Sequence, residues 1–310
     1  MQFTSLKWMC VVLTSSLVGC SQITPLPEHQ VALSQTYPLQ TQGNYQVLSW
    51  DNYVNDQQLI NLVDLALVSN QDLKIASLRI HEAQAAYGIQ RAELFPNIGG
   101  NAGMERNHVP ADLSYVGREM TTSQYSVGLG MNQWELDLWG RIRSLNEAAL
   151  QQFFAVESNV QAVRNSLIQQ TVLSYLTLSE LDKRIYFAQR SVQNYEKSVR
   201  LFKRRYEVGA SSKVEYMQAK TMLSNGQALV TQLEKSRALT ANYLVQLVGQ
   251  PTSLHQTDLD QVTFKTGVLH TGLPSDLLLN RADIRASEAM LKSKHANINA
   301  ARAAFFPRIT

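Results

Sequence analysis

The sequence predicts a mainly α-helical chain of long antiparallel helical hairpins that also carries strands of a membrane β-barrel. Three observations lead there. Between Arg141 and Val208 there is neither Gly nor Pro, which at the helical rise makes one helix of roughly 100 Å. From Tyr125 to Met131 the hydrophobic period drops to two. Residues Leu67 to Ile98 and Leu278 to Ile309 align without a gap, residue n of the first copy matching residue n + 211 of the second. Asp72 meets Asp283, Ala85 meets Ala296, and Arg91-Ala92 meets Arg302-Ala303. Phe95-Pro96 meets Phe306-Pro307. Each copy reads as an amphipathic helix stopped by a proline that hands over to extended chain. A shift this long implies a duplicated supersecondary block, not a short solenoid repeat.

The N-terminus reads as an export signal. Lys7 supplies the positive region, and Trp8 to Val18 form an apolar stretch too short to span a bilayer as a helix. It closes on Leu17-Val18-Gly19-Cys20, the form of a lipobox. The chain has two Cys, and the other, Cys10, lies within the signal. A mature exported chain with one Cys at its first residue has no intrachain disulfide to form, and lipidation of Cys20 accounts for the leftover thiol. Ser21 follows it; in the lipoproteins this resembles, Asp there favours the inner membrane, so Ser favours the outer one. Net charge is +3, which is no nucleic-acid footprint. Charged residues make up 17%, below the usual ~25%. No stretch after the signal is long and apolar enough for a transmembrane helix, so any crossing must use barrel strands.

After a Pro-, Gln- and Ser-rich strap to about Tyr53, helices are expected over 55–68 and 71–94, with Ser69 or Asn70 as N-cap of the second and Asp72 in its first turn. Beyond Pro96, Tyr125, Val127, Leu129 and Met131 alternate with Ser126, Gly128, Gly130 and Asn132. This is the dyad pattern of a barrel strand; a soluble hairpin with one buried face reads the same. Ile98, Gly100, Ala102 and Met104 give a poorer first strand, and 110–122 a polar loop. The long helix carries a seam of Leu178, Leu181, Ile185, Ala188, Val192, Tyr195, Val199, Phe202 and Tyr206 at alternating steps of 3 and 4, the coiled-coil spacing. Gly209 breaks it and Ser211-Ser212 cap the next helix, which runs from Lys213 to Val248 and stops at Gly249-Gln250-Pro251.

These residues together resemble the TolC-like outer-membrane efflux protein family, in its OprM-type lipoprotein branch. The resemblance rests on four features. They are the lipobox, the motif Asp137-Leu138-Trp139-Gly140-Arg141, the tip Arg205-Tyr206-Glu207-Val208-Gly209-Ala210, and the second-copy run from Arg281-Ala282-Asp283-Ile284 through Ala303-Ala304-Phe305-Phe306-Pro307. It implies a homotrimer in which each protomer gives four strands to one outer-membrane barrel and long helices to a periplasmic tunnel. It also implies a periplasmic membrane-fusion adaptor and an inner-membrane RND transporter as partners, with drugs and toxic small molecules as cargo. Carried over, Cys20 is the lipid site, Val208, Gly209 and Ala210 the adaptor-contact tip, and Asp137, Leu138, Trp139, Gly140 and Arg141 the barrel–helix junction.

The expected organisation is a signal peptide (1–19), a lipid-anchored strap (20–54) and first-repeat helices (55–95). Two barrel strands follow (96–136), then the long hairpin (137–249, tip 208–212), an equatorial connection (250–276) and the start of the second repeat (277–310). A chain stopping at Thr310 would hold two of four strands, and the second hairpin would be missing. Catalysis finds little support. The six His are scattered, with no HExxH, no Cys/His metal spacing and no nucleophile elbow, so no enzyme, cofactor or metal is expected. A type I protein-secretion duct of the same fold and a non-channel periplasmic coiled-coil scaffold are the competing functions. The group Arg200, Lys203, Arg204 and Arg205 is read equally as a docking surface or as charge complementing the helix dipole.

Overall fold

The computed structural model describes residues 24–26, 50–132, 134–254 and 275–310. The signal peptide, Cys20, most of the strap and most of the 250–276 connection lie outside the described residues. The helices are α1 (Gln57–Ser69), α2 (Gln71–Ala92), α3 (Arg141–Glu207), α4 (Lys213–Val248) and α5 (Ala282–Ala303). The strands are β1 (Asn97–Val109) and β2 (Met120–Asn132). The chain forms two compact units, residues 1–30, 80–157 and 285–310, and residues 31–79 and 158–284.

The repeat holds to the residue. α2 and α5 begin and end at positions related by the 211-residue shift. Their exits match as well. Leu94 N–H bonds Arg91 C=O and Phe95 N–H bonds Ala92 C=O; Phe305 and Phe306 do the same to Arg302 and Ala303. A tightened last turn followed by Pro is the local stop that the sequence encodes in both copies. The first helix starts two residues later than expected because Asp56 caps it, accepting from Gln58 N and Leu59 N. The second ends at Ala92, two residues short of Leu94, because the chain is already tightening there.

In the strand-bearing unit, β1 and β2 pair antiparallel from Asn97↔Asn132 to Val109↔Met120 without a bulge. The register aligns Ile98 with Met131, Gly100 with Leu129, Ala102 with Val127 and Met104 with Tyr125. Two alternating patterns thus fall on one apolar face, and Gly99–Gly130, Asn101–Gly128 and Gly103–Ser126 on the other. On that face Asn101 packs close over Gly128: an added Cβ there would lie 2.7 Å from Asn101 Oδ1, so the Asn101 side chain would have to move. The apolar face is uncovered: Val127 is 88% and Leu129 87% exposed. A soluble hairpin would bury this face against its own chain. β2 begins at Met120 and ends at Asn132, not at Leu136 as expected. Beyond Asn132 the backbone leaves the ladder with β1, and Leu136 N–H instead bonds Ile309 C=O at 2.8 Å.

In the other unit, the seam of α3 meets α4. Leu181, Ile185 and Ala188 bury against Leu233, with Val230 beside them. Burying each large aliphatic side chain is worth about 1.5–3 kcal/mol. Gly226 makes room for Tyr195, whose ring would lie 3.0 Å from an added Cβ. Toward the turn the seam thins, and Tyr206 is exposed. Two polar cross-links pin the register: the guanidinium of Arg237 ion-pairs with Asp182, and Tyr243 Oη donates to Gln170 Oε1 at 3.0 Å. Against the base of the hairpin, α1 buries Leu59, Leu62, Val63 and Ala66. Tyr175 Oη donates to Asp56 Oδ2 at 2.6 Å, so one carboxylate caps α1 and satisfies a buried phenol.

Candidate functional site

Two of the sequence-singled segments have defined geometry, the hairpin tip and the junction motif; Cys20 lies outside the described residues.

The tip solves the problem of ending one helix and starting another within five residues. Gly209 takes φ +74°, which an L side chain rarely adopts. Its N–H bonds Tyr206 C=O at 3.0 Å, and Ala210 N–H reaches back to Arg205 C=O at 2.7 Å. This pair of bonds is a Schellman motif, which satisfies the carbonyls a helix end leaves open. Ser212 then caps α4 in a capping box with Glu215. Ser211 Oγ also donates to Glu215. These hydrogen bonds, the Ser211 hydroxyl first and the Ser212 N–H second, hold the Glu215 carboxyl below its usual range. The rings of Tyr206 and Tyr216 stack across the turn at 6.1 Å. With the backbone so fully used, what the tip offers outward is side chains, apolar ones set among the exposed Arg204, Arg205, Glu207 and Lys213. Val208 is 78% and Val214 64% exposed, and a groove of about 790 Å³ runs along Val214, Met217 and Met222. Of the basic group, Lys203 pairs at 3.8 Å with Glu207, a surface pair of little energetic weight.

At the junction each residue of the motif except Leu138 has a visible task. Asp137 caps α3 from outside, accepting from Ile142 N at 3.2 Å and Arg143 N at 2.8 Å. These are first-turn donors with no partner inside the helix. Gly140 takes φ +79°. Arg141 grips Glu135 bidentately at 2.9 and 2.6 Å. That guanidinium, through its hydrogen bonds first, holds the Glu135 carboxyl below its usual range. Trp139 stacks on Phe306 at 4.8 Å and donates its indole N–H to Pro307 C=O at 3.0 Å. The turn is therefore a bolt: it fixes the start of the long helix to the exit of the second copy of the repeat. Leu138 is exposed. A cavity of about 760 Å³ lies beside the bolt, lined by Ile89, Phe95, Trp134, Glu135, Arg141 and Arg308.

Sequence reasoning reached Asp137, Trp139 and Arg141 as a motif but missed their partners Glu135 and Phe306-Pro307 as a set. Glu135 lies six residues from Arg141 with no fixed spacing rule, and Pro307 lies 168 residues from Trp139. Among the described residues, no group of three or more His, Cys, Asp or Glu could hold a metal ion, and no helix is long and apolar enough to cross a membrane.

The ribbon, the bolt and the hairpin define a class of protein, and comparison with known proteins identifies it. The model of the outer membrane efflux protein family matches residues 62–250. The toluene efflux pump outer membrane protein TtgC of Pseudomonas putida is 36% identical over 266 residues, which is 84% of this chain and 54% of that protein. The solvent efflux pump outer membrane protein SrpC, also of Pseudomonas putida, is 34% identical over 321 residues, spanning all of this chain and 67% of its own length. Among solved structures, a membrane protein from Pseudomonas aeruginosa superposes with a TM-score of 0.76 at 33% identity, over 93% of this chain and 66% of the other. The chain belongs to the outer membrane efflux protein family. Its fold is TolC-like, and the family is one of outer-membrane transport components. The chain spans between about half and two thirds of the length of these relatives.

Proposed function

We propose that this chain supplies the outer-membrane channel of a tripartite efflux pump, which exports antibiotics, solvents and other toxic small molecules. The observation that carries this reading is the two-faced ribbon. Its apolar face is exposed along its length and its small polar face suits a water-filled lumen. It continues through the Asp137–Arg141 bolt into a 67-residue helix. Thirteen residues per strand reach about 43 Å, enough for the ~30 Å hydrocarbon core even when tilted.

Several finer assignments belong to the same reading. The protein is a homotrimer whose helices extend into the periplasm. Cys20 carries the lipid anchor in the outer membrane. Val208, Gly209 and Ala210 contact the periplasmic adaptor, which joins the channel to an inner-membrane RND transporter. The exposed Val208 beside a rigid Schellman turn supports the tip assignment, because docking there needs no rearrangement of backbone hydrogen bonds. No step calls for a cofactor or for catalysis.

The test is genetic and electrical. Deleting the gene lowers the minimum inhibitory concentrations of antibiotics and organic solvents, and restoring it with Val208→Asp does not recover them although the protein still reaches the outer membrane. Unchanged susceptibility on deletion would overturn the efflux reading. Proteoliposomes holding the protein conduct ions, whereas a periplasmic scaffold would leave them silent.

A further inference from the structure

The buried face of α5 consists of Ala289, Ser293, Ala296, Asn299, Ala300 and Ala303. Asn299 is the odd member: the largest side chain of the set, with a polar amide, at only 5% exposure. A buried amide needs partners for both its groups. Both go to one residue of the N-terminal strap. Asn299 Oδ1 accepts from Thr24 Oγ1 at 2.9 Å, and Asn299 Nδ2 donates to Thr24 C=O at 3.1 Å. His295 Nε2 lies 2.8 Å from the same carbonyl, and since a carbonyl only accepts, that nitrogen carries the proton. Arg302 Nη1 donates to Thr24 Oγ1 at 2.9 Å.

The set is complete in hydrogen-bonding terms. The hydroxyl donates once and accepts once, and both lone pairs of the carbonyl are filled. His295, Asn299 and Arg302 stand at i, i+4 and i+7, so one helix face presents all three. We propose that His295, Asn299 and Arg302 form a docking site for a hydroxyl-bearing strap residue, occupied by Thr24, which fastens the N-terminal segment to the second copy of the repeat. The first copy has Gln84, Gly88 and Arg91 at the matching positions. It keeps the arginine but has Gly where Asn299 stands and Gln where His295 stands, so the first copy does not reproduce the seat. The site selects Thr or Ser through the hydroxyl, and Val in that place would leave Asn299 Oδ1 and Arg302 without their shared partner.

A consequence rests on the proposed lipid attachment. Thr24 is the fourth residue after Cys20, and four residues of chain span at most about 14 Å. Seating Thr24 therefore tethers an acylated Cys20 within that reach of α5, which fixes the anchor to the helix beside the junction bolt.

The experiment places a genetically encoded benzophenone amino acid at Pro25 in the chain as it stands in outer-membrane fractions. On irradiation it is expected to join the strap to peptides from 282–303. Asn299→Ala, which leaves a helix-favouring residue in the helix, lowers the yield roughly tenfold. Thr24→Val acts from the other side and does the same, while Thr24→Ser retains the cross-link. Circular dichroism melts stay unchanged in all three, separating loss of docking from loss of fold. Equal yields in the wild type, Asn299→Ala and Thr24→Val, or cross-links that avoid α5, would overturn the site. Palmitate labelling in parallel reports on Cys20 alone: its absence removes the tether while the cross-link to α5 still supports the docking site.

Discussion

The two copies of the repeated helix have the same length, the same bounds at the 211-residue shift and the same exit, yet they are fastened at opposite ends. The first copy, α2, buries Leu73 and Ala76 in its first two turns and exposes Leu78 and Ile89, with Phe95 exposed just past its end. Its start is anchored by Asn70, 5% exposed, whose Oδ1 caps Leu73 N at 2.9 Å and whose Nδ2 reaches Leu247 C=O at 2.9 Å. The second copy, α5, has Arg281 at the position of Asn70, paired with Asp283 on an open surface. Its buried positions begin at Ala289 and run to Ala303, and its exit is bolted by the stack of Phe306 on Trp139. Local sequence made two equal helices; the partners each meets made them unequal.

Breaking the anchor of the first copy is expected to have the largest effect. Gly249 takes φ +78°, and a Cβ there would fall 2.6 Å from Ser69 C=O. Gly249→Ala is expected to cost about 3 kcal/mol, read as a lower urea midpoint for helix loss. Asn70→Ala follows at about 2 kcal/mol, since it removes a cap and leaves a buried carbonyl without its donor. An equal loss in an Arg281→Ala variant would erase the asymmetry.

The matching lesion in the second copy is Trp139→Ala. It loses an aromatic stack and an indole hydrogen bond, about 2 kcal/mol together. Chymotrypsin cleavage after Phe305 then accelerates over the wild type while cleavage after Leu94, its counterpart in the first copy, does not, the reverse of what a loosened first copy would show.

A smaller effect is set by pH. Arg141 depresses the Glu135 carboxyl in the folded protein. That contribution is therefore complete above the unfolded value near ~4.3 and is lost as pH falls through the folded one. Acidifying the wild type below about 4 shifts the fluorescence of the adjacent Trp134 and Trp139, and Glu135→Gln shows no such step. The smallest expected effect is that of Arg281→Ala, which removes an exposed pair and leaves the melting temperature unmoved.

Much of this was legible in the sequence. Gly209, Ser212 and Gly249 act where their backbone chemistry says they should, because caps and left-handed turns are decided within four or five residues. The strand pair was legible too, because its period of two needs no distant partner. Its lipid-like exposure was not, since alternation alone fits a buried face equally well; only the register that aligns Ile98 with Met131 and leaves both uncovered separates the two. Asp182 with Arg237, Trp139 with Pro307 and Thr24 with Asn299 were invisible, being 55, 168 and 275 residues apart.

By itself, then, the amino-acid order determined where helices start and stop, where the chain turns to strand, and that one helix is written twice, because those outcomes depend on φ preferences, caps and periodicity between near neighbours. The tertiary structure decided which end of each copy is held, what the junction motif grips and where the strap is seated. Those depend on donors and acceptors that meet only after the chain has folded, and no local rule of spacing pairs them in advance.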